Sequence, residues 1–189
     1  MERSRGHRAG LTRDAVLGAA RELLAEHGLA GVTMRTLATR LDVAPNAIYS
    51  HVASKDALVD ALLDDALADV PVPPVEIDDP IDAVRGIMDS TYHVLLEHPD
   101  LVPLYLSRQG ARGENAQDLG RLVTSLLREA GIPEPAASEA LRVLIVYTIG
   151  FAAFTSGLPP GPGTADRPGA AESHATFARG LGWLLAGVR

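Results

Sequence analysis

The chain has no cysteine in its 189 residues, which excludes disulfides, thiolate metal sites and cysteine nucleophiles together. It also lacks a long apolar run. The longest uncharged apolar stretch, residues 143–158, is shorter than the roughly 18 to 20 residues that cross a bilayer. The basic N-terminus, MERSRGHRAGLTRD, carries no apolar segment of the kind found in a secretory signal. These absences lead to the expectation of a cytoplasmic protein with no membrane partner. Strand-like alternation and internal repeats are missing as well. Neither G-x-S-x-G nor H-E-x-x-H occurs, so no enzyme is expected.

Excess positive charge is missing too. The formal net charge of −7 argues against a general polyanion binder, but the balance is uneven. Residues 1–56 carry eight bases (Arg3, Arg5, Arg8, Arg13, Arg21, Arg35, Arg40, Lys55) against six acids, a net of +2, and the remainder carries nine bases against 18 acids, a net of −9. Such asymmetry suits a chain of which only the N-terminal part meets a polyanion.

What the chain does have is helical periodicity nearly throughout, so an all-α fold is expected. TRDAVLGAARELLAEHG places Ala15, Val16, Ala19, Ala20, Leu23 and Leu24 on one face, with Thr12 as N-cap and Gly28 as a left-handed stop. Thr33 caps a second short helix whose inward residues are Leu37, Ala38 and Leu41. A third begins at Pro45, where a missing N–H costs nothing, and runs to about Val52. Ser54 caps a fourth, which ends before the breaker run PVPPVEIDDP. Five more helical segments follow, and between the last two lies LPPGPGTADRPG, a proline- and glycine-rich loop expected to be mobile.

The stretch GVTMRTLATRLDVAPNAIYSHVASK carries the most specific information. A helix of about eight residues cannot bury both faces, so Ala44, Ala47 and Ile48 should turn inward and leave Pro45, Asn46, Tyr49, Ser50 and His51 outward. Short hydrogen-bonding groups on an exposed second helix are the inventory with which a helix reads base edges and phosphates in a major groove. Asp42 stands at the turn, where aspartate tolerates the left-handed conformation. The pattern alone does not separate this helix-turn-helix from an ordinary helical hairpin.

The run T-x-x-x-L-A-x-x-L-x-V-A-x-x-A-I-Y-x-H-V-x-x-K-x-x-L, from Thr33 through Leu58, resembles the DNA-binding signature of the TetR family of transcriptional regulators. Its ending, with Val52 where most members carry phenylalanine, is similar to the tetracycline-repressor subgroup. The resemblance implies a helix-turn-helix domain over residues 1–54 with an arm over 1–10, a connecting helix over 55–70, and a ligand-binding and dimerisation domain over 71–189. It implies DNA contacts from Thr33 and Arg35, base reading at Pro45, Asn46 and Ala47, and phosphate contacts from Tyr49, His51 and Lys55. Ser50 replaces a bulkier residue on the same face, so the operator sequence cannot be carried over. The arm with Arg3, Arg5 and Arg8 reads as a solvated tail before it reads as a minor-groove finger.

For the second domain the expected partners are a double-stranded operator, a small-molecule effector and a second copy of the chain. Residues 141–154 are apolar nearly all round, and the last helix carries Phe177, Leu181, Trp183, Leu184 and Leu185 beside Gly180 and Gly182. These two helices are expected to form a four-helix dimer interface. Met88, Tyr92, Leu95, Leu104, Tyr105, Val146, Tyr147 and Phe151 are the first candidates for a soft apolar ligand wall, although each also reads as plain core. His93 and Glu97 share a helical face, but His98 is rotated away and no third ligand can be named. No metal and no cofactor are therefore expected. A ligand-responsive regulator, with repression ahead of activation, is the expected function; a carrier protein or a helical enzyme built on the second-half pocket are the alternatives.

Overall fold

The computed structural model describes residues 10–72, 79–157 and 169–188. Among these the chain is helical without a strand, and it divides into two units, residues 1–62 and 63–189. The arginines of the arm and most of the Pro/Gly loop lie outside the described residues.

The first unit is built from α1 (Arg13–Gly31), α2 (Met34–Arg40), α3 (Pro45–Tyr49) and the first two turns of α4 (Lys55–Ala66). Thr12 caps α1 by accepting from the Ala15 N–H at 3.1 Å. The buried face of α1 consists of Val16, Leu17, Ala19, Ala20, Leu23 and Leu24, with Leu17 in the place expected of Ala15, which is exposed. Gly28 takes φ 65 and ψ −177, a non-helical conformation that ends the first helical stretch of α1 at a kink, after which a short second stretch runs to Gly31. A reciprocal pair then starts α2: the Thr33 hydroxyl accepts from the Thr36 N–H at 3.0 Å, and the Thr36 hydroxyl accepts from the Thr33 N–H at 2.9 Å. Arg40, in the last turn of α2, clamps back on α1 through Glu22 at 2.8 Å and Glu26. Hydrogen bonding to Arg40 holds the Glu26 carboxyl below the ordinary range, and the same carboxylates raise the Arg40 guanidinium.

The second unit continues α4 through Leu63–Ala66 and adds α5 (Pro80–Glu97), α6 (Val102–Arg108), α7 (Glu114–Glu129), α8 (Ala136–Thr155) and α9 (Ala170–Gly187). Asp79 caps α5 from its N-terminus, accepting from the Ile81 N–H at 2.8 Å, and Pro99 stops it by excluding helical geometry at His98. α8 packs against α5, α6, α7 and α9. Its buried face is Ala137, Ala140, Leu144, Thr148, Ile149, Ala152 and Ala153. Tyr92 of α5 stacks on Phe177 of α9 with ring centroids 4.2 Å apart, and Tyr147 of α8 stacks on the same ring at 5.3 Å. The Tyr147 hydroxyl donates to the Phe177 carbonyl at 2.9 Å. Gly180 makes room for it: a Cβ there would lie 2.2 Å from the Tyr147 oxygen.

Candidate nucleic-acid interface and ligand cavity

At the tip of the first unit Asp42 adopts φ 52, the left-handed turn that lets α3 leave α2 at once. Pro45 opens α3 and Ile48 anchors it, wholly buried. The helix is shorter than its sequence suggests. It ends at Tyr49, because the Ser50 hydroxyl donates to the Ala47 carbonyl at 2.6 Å and the N–H groups of His51 and Val52 both turn onto the Ile48 carbonyl. Ala44, expected inward, is exposed as the residue preceding the helix; Ala47 is half-buried.

Of the residues expected to meet DNA, Arg35, Pro45, Asn46, Tyr49, Ser50 and Lys55 are exposed, and Thr33, Ala47 and His51 are half-buried. Tyr49 is 51% exposed directly after a residue that is 0% exposed. Thr33 is occupied as an N-cap, and the Lys55 ammonium donates to the Leu29 carbonyl at 2.9 Å, just past the kink in α1. That contact uses one of three donors and fixes the start of α4 against α1.

In the second unit a cavity of about 120 Å³ lies between α5, α6, α7 and α8. Met88, Leu95 and Tyr105, all expected as ligand wall, line it; Tyr92, Leu104, Val146, Tyr147 and Phe151 do not. Tyr92, Tyr147 and Phe151 are spent in the aromatic cluster around Phe177, Leu104 is buried elsewhere, and Val146 is 72% exposed. The wall also includes Thr91, Gln109, Ala116, Val123, Ile145 and Thr148, which sequence reading missed. Thr91 was within reach, since it lies three residues after Met88 on the same face; Gln109 was not, because its place depends on the left-handed backbone (φ 58) that ends α6. Polar groups are few. The Thr91 hydroxyl donates to the Ile87 carbonyl, Thr148 faces the Met88 sulfur at 3.8 Å, and the Tyr105 hydroxyl donates to the Leu63 carbonyl. Burial, with the Asp64 charge adding to it, pushes the Tyr105 phenol far up, so it stays a donor.

The cavity wall is joined to the end of α4 at a second place. The Asp64 side chain accepts from the Ala116 N–H at 2.9 Å and the Asn115 N–H at 3.3 Å, while the Asn115 amide donates to the Asp64 carbonyl at 3.1 Å. A helix N-terminus thus takes its capping carboxylate from another helix. Gly113 precedes that turn, where a Cβ would fall 2.2 Å from the Asp64 carboxyl carbon.

His93, Glu97 and His98 do not converge. His98 stands 3.9 Å from Asp69, whereas His93 turns to Asp89.

An exposed short helix on a helical support, followed by a helical unit with an apolar cavity, is the layout of helix-turn-helix proteins that carry a second helical domain. Residues 16–62 match the bacterial regulatory proteins of the tetR family, and residues 73–169 match the tetracyclin repressor-like C-terminal domain. An HTH-type transcriptional regulator of Saccharopolyspora erythraea is 33% identical over 140 residues, 74% of this chain and 59% of that protein. The tetracycline repressor protein class C of Escherichia coli is 32% identical over 142 residues, 74% of this chain and 64% of that protein. The chain thus spans less than two thirds of these curated relatives. The structure of the Streptomyces coelicolor TetR family protein ActR in complex with actinorhodin superposes with a TM-score of 0.81 at 25% identity, covering 95% of this chain and 96% of that one. The chain belongs to the TetR family.

Proposed function

We propose that the protein is a transcriptional repressor that binds a near-palindromic operator as a homodimer and releases it when a small apolar molecule enters the second unit. The observation that carries the reading is the tip of α3, where Pro45, Asn46, Tyr49 and Ser50 stand exposed over the buried Ile48. α3 itself carries no acid, and Arg35 and Lys55 flank it in sequence. Relatives named as regulators and repressors support the same reading.

Dimerisation through α8 and α9 is supported by what those helices leave uncovered. Val143 (51%), Val146 (72%), Phe154 (48%) and Trp183 (72%), on these two helices, make up much of the exposed large apolar surface among the described residues. Reading a palindrome needs two α3 helices about 34 to 36 Å apart, which a twofold pair supplies.

The cavity is smaller than the roughly 300 Å³ at which drug-sized sites begin. As it stands it suits a compact apolar effector; a larger one must part the wall formed by residues 109–116. A shallower groove of about 410 Å³ shares Leu67 and Leu119 with it and supplies space for that opening. Either event strains Tyr105 and the Asp64 cap, both fixed to the last turn of α4, and α4 begins at Lys55 beside the reading helix. A coupling of about 1 to 3 kcal/mol suffices for such a switch.

Selecting duplexes from a random pool with the purified protein tests this reading. An inverted repeat bound two chains to one duplex is expected, and Tyr49→Ala should lose that binding while remaining folded. Sequence-indifferent binding by the parent protein would overturn it.

A further inference from the structure

We infer that Asp89, His93 and His174 form a site for one transition-metal ion of the zinc class, joining α5 to α9. Asp89 and His93 lie four residues apart on α5, and His174 reaches them from α9 across 85 residues of sequence. One donor atom from each lies within 4.8 Å of the other two. His174 Nε2 is 2.7 Å from one Asp89 carboxylate oxygen, and His93 Nδ1 is 3.6 Å from the other. Donors on a tetrahedral zinc with bonds of about 2.0 to 2.1 Å stand about 3.3 Å apart; each imidazole already lies near that spacing from one carboxylate oxygen, and small side-chain rotations would close the remaining separations, none above 4.8 Å.

A simple Asp–His hydrogen bond would employ His174 alone. Here the second imidazole is drawn to the same carboxylate, and the two histidine rings meet edge to face with centroids 4.6 Å apart. Both rings rest on buried Tyr92, at 6.0 Å for His174 and 5.6 Å for His93, which restricts how far either can swing away. His93 Nδ1 also lies 2.9 Å from the Asp89 carbonyl one turn back, a contact it gives up on ligating. Two imidazoles and a carboxylate favour zinc, cobalt, nickel or copper over magnesium or calcium. The three side chains are 36 to 50% exposed, so a hydrated ion has a path in and keeps water on its fourth position. None of the three residues lines the cavity, and an ion there would staple two helices of the second unit.

The test uses the full chain stripped with a chelator, then titrated calorimetrically with zinc chloride. Saturable binding of one ion per chain is expected, and cobalt(II) should give the visible absorption of four-coordinate geometry. His93→Gln and His174→Gln should each weaken zinc by at least about ten-fold, with helix content unchanged by circular dichroism; His98→Gln should bind like the parent. Absence of saturable heat and of the cobalt band in the parent protein would overturn the inference without recourse to any variant. So would folded His93→Gln and His174→Gln proteins that bind like the parent.

Discussion

Asp64 supplies, from α4, the carboxylate that the first turn of α7 needs. It sits near the end of α4, 9% exposed, and neutralises the first N–H groups of α7. Removing it leaves those half-buried donors without this partner, a loss of about 1 to 2 kcal/mol by analogy with N-cap deletions. Asp64→Ala should therefore lower unfolding stability by that amount in urea, whereas Asp64→Asn, which keeps one acceptor oxygen, should lose less. Equal losses would show that charge rather than capping matters there. Gly180 poses a related problem in space. A methyl group there collides with the Tyr147 hydroxyl oxygen, so Gly180→Ala should cost about 1 to 3 kcal/mol, the range of an overpacked core. Tyr147→Phe removes the obstructing atom, and the double variant should recover part of the loss; strictly additive losses would place the clash elsewhere.

At the scale of elements, the start of α2 rests on four hydrogen-bonding groups from Thr33 and Thr36, and Thr36 also donates to the Gly31 carbonyl at 2.7 Å. Thr36→Val, nearly the same volume without the hydroxyl, breaks the reciprocal pair and the link to α1. A loss of about 1 to 2 kcal/mol is expected, read by thermal unfolding, with a parallel loss of operator affinity because α2 supports α3. An unchanged melting curve would contradict that role. These local features were legible in the sequence, since caps, the Asp42 turn and the 3.6-residue pattern all act within a few residues. So was the family, through spaced positions from Thr33 to Leu58. The cap that Asp64 gives to α7 and the meeting of Asp89 with His174 were not, because each joins residues 51 or more apart. Sequence singled out His93 but paired it with Glu97, having no means of knowing that α9 passes over the other side of the turn. The nearly all-apolar stretch of α8 after Arg142 posed the same difficulty. Periodicity cannot say which of its faces is core, and Val146, expected by pattern among the wall residues, projects outward.

For the whole molecule, the uneven charge becomes a quantitative expectation. The chain carries −7, so the proposed attraction to DNA would come from a few placed cations and not from a general field. Arg35 and Lys55, taken from each of two protomers, make four. Neutralising four phosphates gives a slope of about −3.6 in log affinity against log salt. Lys55→Gln, which removes one cation per protomer, should reduce the magnitude of that slope by about 1.8. Trp183→Asp offers an independent cut through the same argument. A charge placed on the uncovered face of α9 should split the dimer in analytical ultracentrifugation, and the remaining single half-site should show half the parent's slope. A dimer that survives Trp183→Asp would remove α9 from the interface. A slope insensitive to Lys55→Gln would mean that its ammonium stays committed to the Leu29 carbonyl, holding α4 to α1 while other groups meet the phosphates.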